Sequence, residues 1–178
     1  VEDLSTKIGL TIPAMLEGLE KDTLKALFVL GENPVVSDPD VTHVKQALDK
    51  ADLLIVQDIF LTATAELADV VLPGVSFAEK DGTFSNTERR VSRVRQAVAP
   101  VGESRQDWQI IQEIATRFGY PMNYGSPEEI FMEMASLTPS YAGITYPRLE
   151  GDGIQWPCPN VEHPGTRFLH KDKVARGK

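Results

Sequence analysis

Cysteine, histidine and basic charge are what this chain of 178 residues has least of: one Cys, three His, and 18 Lys plus Arg against 26 Asp plus Glu. With Cys158 alone, neither an internal disulfide framework nor a four-thiolate zinc or iron–sulfur site can be assembled from this polypeptide. Any redox centre it serves must be non-protein or come from elsewhere. The spacing of Cys158, His163 and His170 matches no common zinc pattern and supplies only three ligands, so no metal site is expected. His43 reads as a surface residue of a helix. The shortage of base, a formal balance of −8, removes the electrostatic footprint for gripping a polyphosphate backbone, and nucleic acid is not an expected partner. No stretch reaches the roughly 20 apolar residues that span a bilayer. The opening Val1-Glu2-Asp3-Leu4-Ser5-Thr6-Lys7 lacks the basic and apolar regions of a signal peptide, so a soluble, cytoplasmic chain is expected. No serine, cysteine or lysine stands in a recognisable nucleophile setting, so no complete catalytic apparatus is supplied.

What is present is enough apolar residue, 42%, for a packed core, at a length that fits one domain or one domain with an appendage. Leu24–Leu30 is a nearly continuous apolar run stopped by Gly31, which predicts a strand buried on both faces. Asp40 predicts a cap for a helix through Leu48, with Val41, Val44 and Leu48 on one face. Asp52–Asp58 and Asp69–Pro73 read as further strands, with a small alanine-rich helix over Thr62–Ala68 between them. Strand, helix, strand, helix, strand at this spacing predicts an α/β fold with an open, mostly parallel sheet and flanking helices.

Ser76–Asn86 reads as an ordered loop and Arg89–Val98 as an extended segment. Ser104 predicts the cap of a helix whose apolar stripe is Trp108, Ile111, Ala115 and Phe118, ended by Gly119. A second helix follows, with Ser126 as cap, Pro127 at the first helical position and Glu129 closing a capping box before Ile130, Phe131 and Met134. Residues 1–137 are thus one α/β segment with C-terminal helices. From Thr138 to Gly165, five prolines and four glycines in 28 positions exclude long helices and central strands. Residues 138–178 therefore form a loop-rich tail, whose aromatics Tyr141, Tyr146, Trp156 and Phe168 are expected to drape over the domain or over a partner.

In an open parallel sheet, ligands bind beyond the carboxyl ends of the strands, where loops converge. Two strand exits carry suitable groups. In Gly31-Glu32-Asn33-Pro34 a glycine permits close backbone approach and Asn33 offers both a donor and an acceptor. At the neighbouring exit, Asp58 offers two acceptors to a guanine edge or to ribose hydroxyls, with Gln57 and Thr62 beside it. A nucleotide suits both exits. The same residues also read as an ordinary turn and as helix caps. A third cluster, Glu79-Lys80-Asp81-Gly82-Thr83-Phe84-Ser85-Asn86-Thr87-Glu88-Arg89-Arg90, gathers carboxylates, an amide, hydroxyls and paired guanidiniums that suit phosphate and heterocycle edges. It reads equally as a solvated, internally salt-bridged loop.

Gly31–Pro39, then Val56–Ala65 with Ala68–Pro73, then Glu79–Val91 follow one another in an order and spacing that resembles the catalytic subunit of molybdopterin-dependent formate dehydrogenases, in the dimethyl sulfoxide reductase superfamily. The tail, Gly153-Ile154-Gln155-Trp156-Pro157-Cys158-Pro159 with His163-Pro164-Gly165-Thr166, resembles the stretch of those enzymes that leads toward a final β-barrel domain. The resemblance implies that this chain is a fragment, part of a dinucleotide-binding domain with the connector beyond it, and inactive in isolation. It implies a molybdopterin guanine dinucleotide whose molybdenum or tungsten is held mainly by absent segments, and no iron–sulfur cluster in this chain. By position, Gly31, Glu32 and Asn33 would line the dinucleotide pocket, Asp58 with Gln57 and Thr62 would recognise the guanosine end, and Glu79, Gly82, Thr83 and Asn86 would form a loop near the cofactor. Cys158 matches a tail position and is not implied as the metal ligand. The wider family often has Glu-Gly-Arg where Glu88-Arg89-Arg90 stands, and the variant fits the formate dehydrogenase branch. Implied partners are the remaining domains of the subunit and iron–sulfur or diaphorase subunits. The alternatives are a related enzyme such as a nitrate reductase, and a non-catalytic structural or assembly module that keeps the fold. Apolar surface normally covered by the missing domains is expected to be exposed.

Overall fold

The computed structural model of the protein describes residues 6–171. Their contacts divide into two compact units, the first running to Gly74 and taking in Gly102–Arg105, the second made of Val75–Val101 and the residues from Gln106 onward. Residues on both sides of position 137 therefore share the second unit.

The first unit is built on three parallel strands in the order β1 (Ala26–Leu30), β2 (Leu53–Asp58) and β3 (Val70–Pro73). Val29 pairs with Val56, Leu30 with Gln57, and Asp58 with Pro73. Helices α1 (Ile12–Glu20) and α3 (Val41–Leu48) supply the core, with the short α2 (Pro34–Ser37) between β1 and α3. Leu16 and Leu19 of α1 and Val44, Ala47 and Leu48 of α3 sit at helical spacing and bury against Val29, Leu54 and Val56. Each of these large side chains contributes about 2 kcal/mol of hydrophobic stabilisation. Asp40 caps α3 as its sequence predicts, its carboxylate accepting from the His43 N–H at 3.1 Å. The buried stripe differs by one position, because Val41 is exposed and Ala47 takes its place.

The prediction of a β1 buried on both faces needs correcting. Leu27 and Val29 face the helices, whereas Phe28 and Leu30 alternate to the other side and are 41% and 45% exposed. Leu53 and Val70 are exposed as well. Strand periodicity sends neighbouring side chains to opposite faces, and among the described residues the helices pack on the face of Leu27 and Val29. Helix α1 had no counterpart in the sequence prediction. The helix over Thr62–Ala68 shortens to a 3-10 turn at Ala65–Leu67.

In the second unit, β4 (Gly82–Ser85) and β5 (Arg90–Val94) form an antiparallel hairpin, and β6 (Ile154–Gln155) adds to the far side of β5. Part of the predicted Ser76–Asn86 loop is thus a 3-10 turn at Phe77–Glu79 followed by a strand. Helix α4 (Asp107–Arg117) starts at Asp107 with Gln106 in the cap position, not Ser104. Its buried residue is Ile110, while Ile111 and Phe118 are 39% and 87% exposed. Helix α5 (Pro127–Leu137) is capped by Ser126, which accepts from the Glu129 N–H at 3.3 Å. The Glu129 carboxylate reaches back to the Gly125 N–H at 2.7 Å, one residue beyond the predicted capping box. Phe131 and Ala135, one helical turn apart, are its buried face.

The tail packs on this hairpin and on α5. Val91, Phe131, Ile144, Tyr146, Leu149, Ile154 and Cys158 share one core. Phe131 meets Tyr146 at 5.7 Å between ring centroids, and Tyr141 stacks on Trp156 at 5.8 Å. Two arginines hold the irregular backbone. Arg148 donates to the carbonyls of Gly143 and His163, and Arg89 to those of Trp156, Thr166 and Arg167. A guanidinium with five donors replaces the ladder hydrogen bonds that so proline-rich a segment cannot make.

Candidate functional site

Six of the residues singled out from sequence meet at the carboxyl edge of the parallel sheet. Gly31 and Asp58 directly follow Leu30 and Gln57, which are paired across β1 and β2. The Gly31 N–H donates to the Gln57 carbonyl at 2.8 Å and closes the β1 exit against β2. Gly31 has φ +63, a left-handed conformation that favours glycine, and a Cβ placed there would meet nothing within 4 Å. Its outer side is therefore open to a bound group. Gln57 is buried, and Asp58 is half-buried at the end of the strand. One oxygen of Asp58 accepts from the Phe60 N–H at 3.0 Å, which fixes the carboxylate in a local turn. The other has no hydrogen bond among the described residues.

Glu32 is exposed and accepts from the Ser37 hydroxyl at 2.8 Å and the Asn33 N–H at 3.3 Å. Asn33 begins α2 through its backbone, its carbonyl accepting from the N–H groups of Val36 and Ser37, with Pro34 at the first helical position. Its side chain does not cap. Instead the amide oxygen crosses to the loop after β2 and accepts from the Thr64 hydroxyl at 2.7 Å and the Thr64 N–H at 3.2 Å. Thr62 accepts from the Ala65 N–H at 3.1 Å and so starts the 3-10 turn. Thr64 is the residue that sequence reasoning missed. It is wholly buried, and no local signal marks it, because its partner lies 31 positions away.

Glu79, Gly82, Thr83 and Asn86 belong to the second unit, and their polar atoms are largely engaged there. Glu79 accepts from the Ser76 N–H at 2.8 Å and the Val101 N–H at 2.9 Å. These donors, Ser76 first, hold its carboxyl below the usual glutamate range. Asn86 accepts from the Arg90 N–H at 2.9 Å and donates to Glu88 at 3.3 Å, forming the hairpin turn. Gly82 and Thr83 lie in β4 opposite Val94 and Arg93. The arginines are engaged as well. Arg90 binds Glu88 at 2.7 Å, and Arg93 lies 3.8 Å over the Tyr146 ring. Arg89 has φ +67 and holds the tail. That conformation favours glycine, and arginine holds it here while its guanidinium gains three carbonyls. The arginine forks expected to suit phosphate are turned onto the protein itself.

Against family models, residues 2–117 match molybdopterin oxidoreductase. The chain belongs to that family. Its relatives include the F420-dependent formate dehydrogenase subunit alpha of Methanocaldococcus jannaschii, 57% identical over 99% of this chain and 27% of that protein. The F420-dependent formate dehydrogenase 1 subunit alpha of Methanococcus maripaludis is 54% identical over 93% of this chain and 25% of its own length. The chain thus spans about a quarter of the length of these curated relatives. Among solved structures, acetylene hydratase from Pelobacter acetylenicus matches with a TM-score of 0.63 at 24% identity, over 81% of this chain and 20% of that one, which shows a shared fold.

The strand-exit residues fit a molybdopterin-type group. Gly31 leaves an open approach, the Asn33 amide nitrogen and one Asp58 oxygen have no partner among the described residues, and the groups sit where parallel sheets accept nucleotides. No set of three or more His, Cys, Asp and Glu side chains able to hold a metal ion occurs among the described residues. Likewise, none of their helices is long and apolar enough to cross a membrane.

Proposed function

We propose that this chain is part of the catalytic subunit of a formate dehydrogenase, and that its first unit binds the guanosine end of a molybdopterin guanine dinucleotide. The observation that carries the proposal is the pairing of Leu30 with Gln57, which sets Gly31 and Asp58 side by side at the carboxyl edge of a parallel sheet with ligand-directed atoms to spare. The identity to formate dehydrogenase alpha subunits over nearly the whole chain supports the choice of substrate.

Each residue then has a role set by its chemistry. The second oxygen of Asp58 accepts from the ring N–H and amino group of the guanine, with Gln57 and Thr62 beside it. Gly31 lets the backbone approach the linking phosphates, and Asn33 presents an N–H donor to acceptor oxygens. Glu32 holds the turn around Asn33. Glu79, Gly82, Thr83 and Asn86 form a loop near the cofactor, with Glu79 and Asn86 held in place by their own hydrogen bonds. When bound, the cofactor supplies a molybdenum or tungsten centre that takes two electrons from formate, chemistry for which the polypeptide provides position and surroundings. Residues 138–178 connect toward a β-barrel domain, the partners are the other domains of the subunit with iron–sulfur or diaphorase subunits, and the enzyme works in the cytoplasm.

The test is Asp58→Ala in the full-length subunit. Guanine and metal content per subunit are expected to fall together. Unchanged content of both would refute the guanosine assignment.

A further inference from the structure

We infer that Thr64 is a positioning residue for this site: its backbone N–H and buried hydroxyl together hold the Asn33 amide oxygen, so that the N–H2 end faces the bound group. The inference rests on the cradle proposed above and adds a residue that touches no ligand. Two backbone N–H groups determine the direction of every bond in the cluster. The Val35 N–H can only donate, and it lies 3.1 Å from the Thr64 hydroxyl oxygen, so that oxygen accepts. The hydroxyl hydrogen is then free to donate to Asn33 at 2.7 Å. The Thr64 N–H, also only a donor, reaches the same Asn33 atom at 3.2 Å, so that atom must be the amide oxygen and not the nitrogen. The Asn33 N–H2 consequently faces away from Thr64, with no partner among the described residues. Thr64 is wholly buried and Asn33 half-buried, so water does not compete for these bonds on the Thr64 side. The cluster joins residues 31 positions apart and ties the loop after β1 to the loop after β2. The class of ligand atom selected is an acceptor, either a phosphate oxygen or a ring carbonyl.

The experiment follows cofactor retention in the purified full-length holoenzyme, read as guanine remaining per subunit during dialysis, together with hydrogen exchange at the Val35 amide. Thr64→Val, which keeps shape and removes the hydroxyl, is expected to lose cofactor about tenfold faster, the scale of one buried hydrogen bond, and to expose the Val35 amide to exchange. Thr64→Ser is expected to match the parent on both readouts. Asn33→Asp keeps the acceptor for Thr64 but replaces the outward donor by an acceptor, so retention falls while Val35 stays protected. Adding Thr64→Val to Asn33→Asp is expected to cost no further retention, because the donor being positioned is already gone. Unchanged retention in Thr64→Val, with loss in Asp58→Ala, would overturn this inference and leave the cradle standing. Equal loss in Thr64→Ser and Thr64→Val would overturn it too, since packing and not the hydroxyl would then matter. Should Thr64→Val not fold, unchanged retention in Asn33→Asp is the overturning result. Unchanged retention in both Asn33→Asp and Asp58→Ala would remove the cradle itself and the inference with it.

Discussion

At the strand exits of the first unit, Asn33 gives its oxygen to Thr64 and keeps its N–H2, and Asp58 gives one oxygen to Phe60 and keeps the other. At the hairpin of the second unit, Asn86 is engaged through both ends of its amide, Glu79 through both oxygens, and Arg89 by three carbonyls of the tail. Both clusters are rich in acids, amides and hydroxyls. The difference teaches that a polar motif serves a ligand in proportion to the hydrogen-bonding capacity the fold leaves over. In the first unit the parallel ladder satisfies most of the strand backbone, side chains take single groups such as the Leu54 N–H held by Asp69 at 2.7 Å, and the exit side chains keep capacity over. In the second unit a tail with many prolines leaves carbonyls without ladder partners, and side chains are recruited to satisfy them.

The comparison breaks most sharply on glycine. A Cβ at Gly143 would meet the Asn160 carbonyl oxygen at 1.9 Å, so Gly143→Ala is expected to destabilise the tail by about 3 kcal/mol. Hydrogen exchange at the amides of Gly143 and Cys158, bonded to the Cys158 and Ser140 carbonyls, measures it. The same change at Gly31 meets open space and costs the fold only the left-handed conformation, about 1–2 kcal/mol. Its larger consequence falls on the ligand side, where cofactor retention in the full-length subunit is expected to drop while protection of the tail amides is unchanged. If Gly31→Ala retains cofactor like the parent, the first unit loses its claim to a ligand-facing edge.

Arg89→Gly sharpens the contrast from the other side. Glycine accepts the φ of +67 without strain, so the backbone of the turn survives and only the clasp is lost. Losing charge-assisted bonds costs about 2 kcal/mol and relieving the left-handed arginine returns about 1, a net loss of about 1 kcal/mol. Proteolysis of the tail around Thr166 should accelerate, and cofactor retention should stay as it was. The smallest effect concerns Glu79. Its carboxyl lies below the usual glutamate value because the Ser76 N–H, the Ser76 hydroxyl and the Val101 N–H favour the charged form. That contribution to stability is fully present above the unfolded value and is lost as pH falls through the lowered folded value. An unfolding series from about pH 6 to about pH 3 should show a shallower acid slope for Glu79→Gln than for the parent.

Local patterns made much of the first unit legible. The apolar runs ending at Gly31 and Asp58 marked two strands, Asp40 marked the start of α3, and the known preference of parallel sheets for ligands at their carboxyl ends pointed to Gly31, Asn33 and Asp58. The misses also have local causes. Helix α1 was missed although Thr11 stands at its cap position and Pro13 in its first turn; Thr11 makes no side-chain capping bond. The exposed faces of Phe28 and Leu30 could not be told from buried ones, because a continuous apolar run carries no alternation to read. In α4, Ile110 and Ile111 are adjacent and equally apolar, and only packing chose between them.

The sequence by itself determined the alternation of strands and helices, the strand exits, and the family to which the chain belongs, because these rest on residues close together in the chain. The tertiary structure decided which polar atoms remain available. Thr64 reaches Asn33 across 31 positions and Arg89 reaches Thr166 across 77, and no periodicity reports a bond between groups so far apart. A side chain's chemistry is written in its residue type. Whether that chemistry faces outward depends on the partners that folding brings beside it.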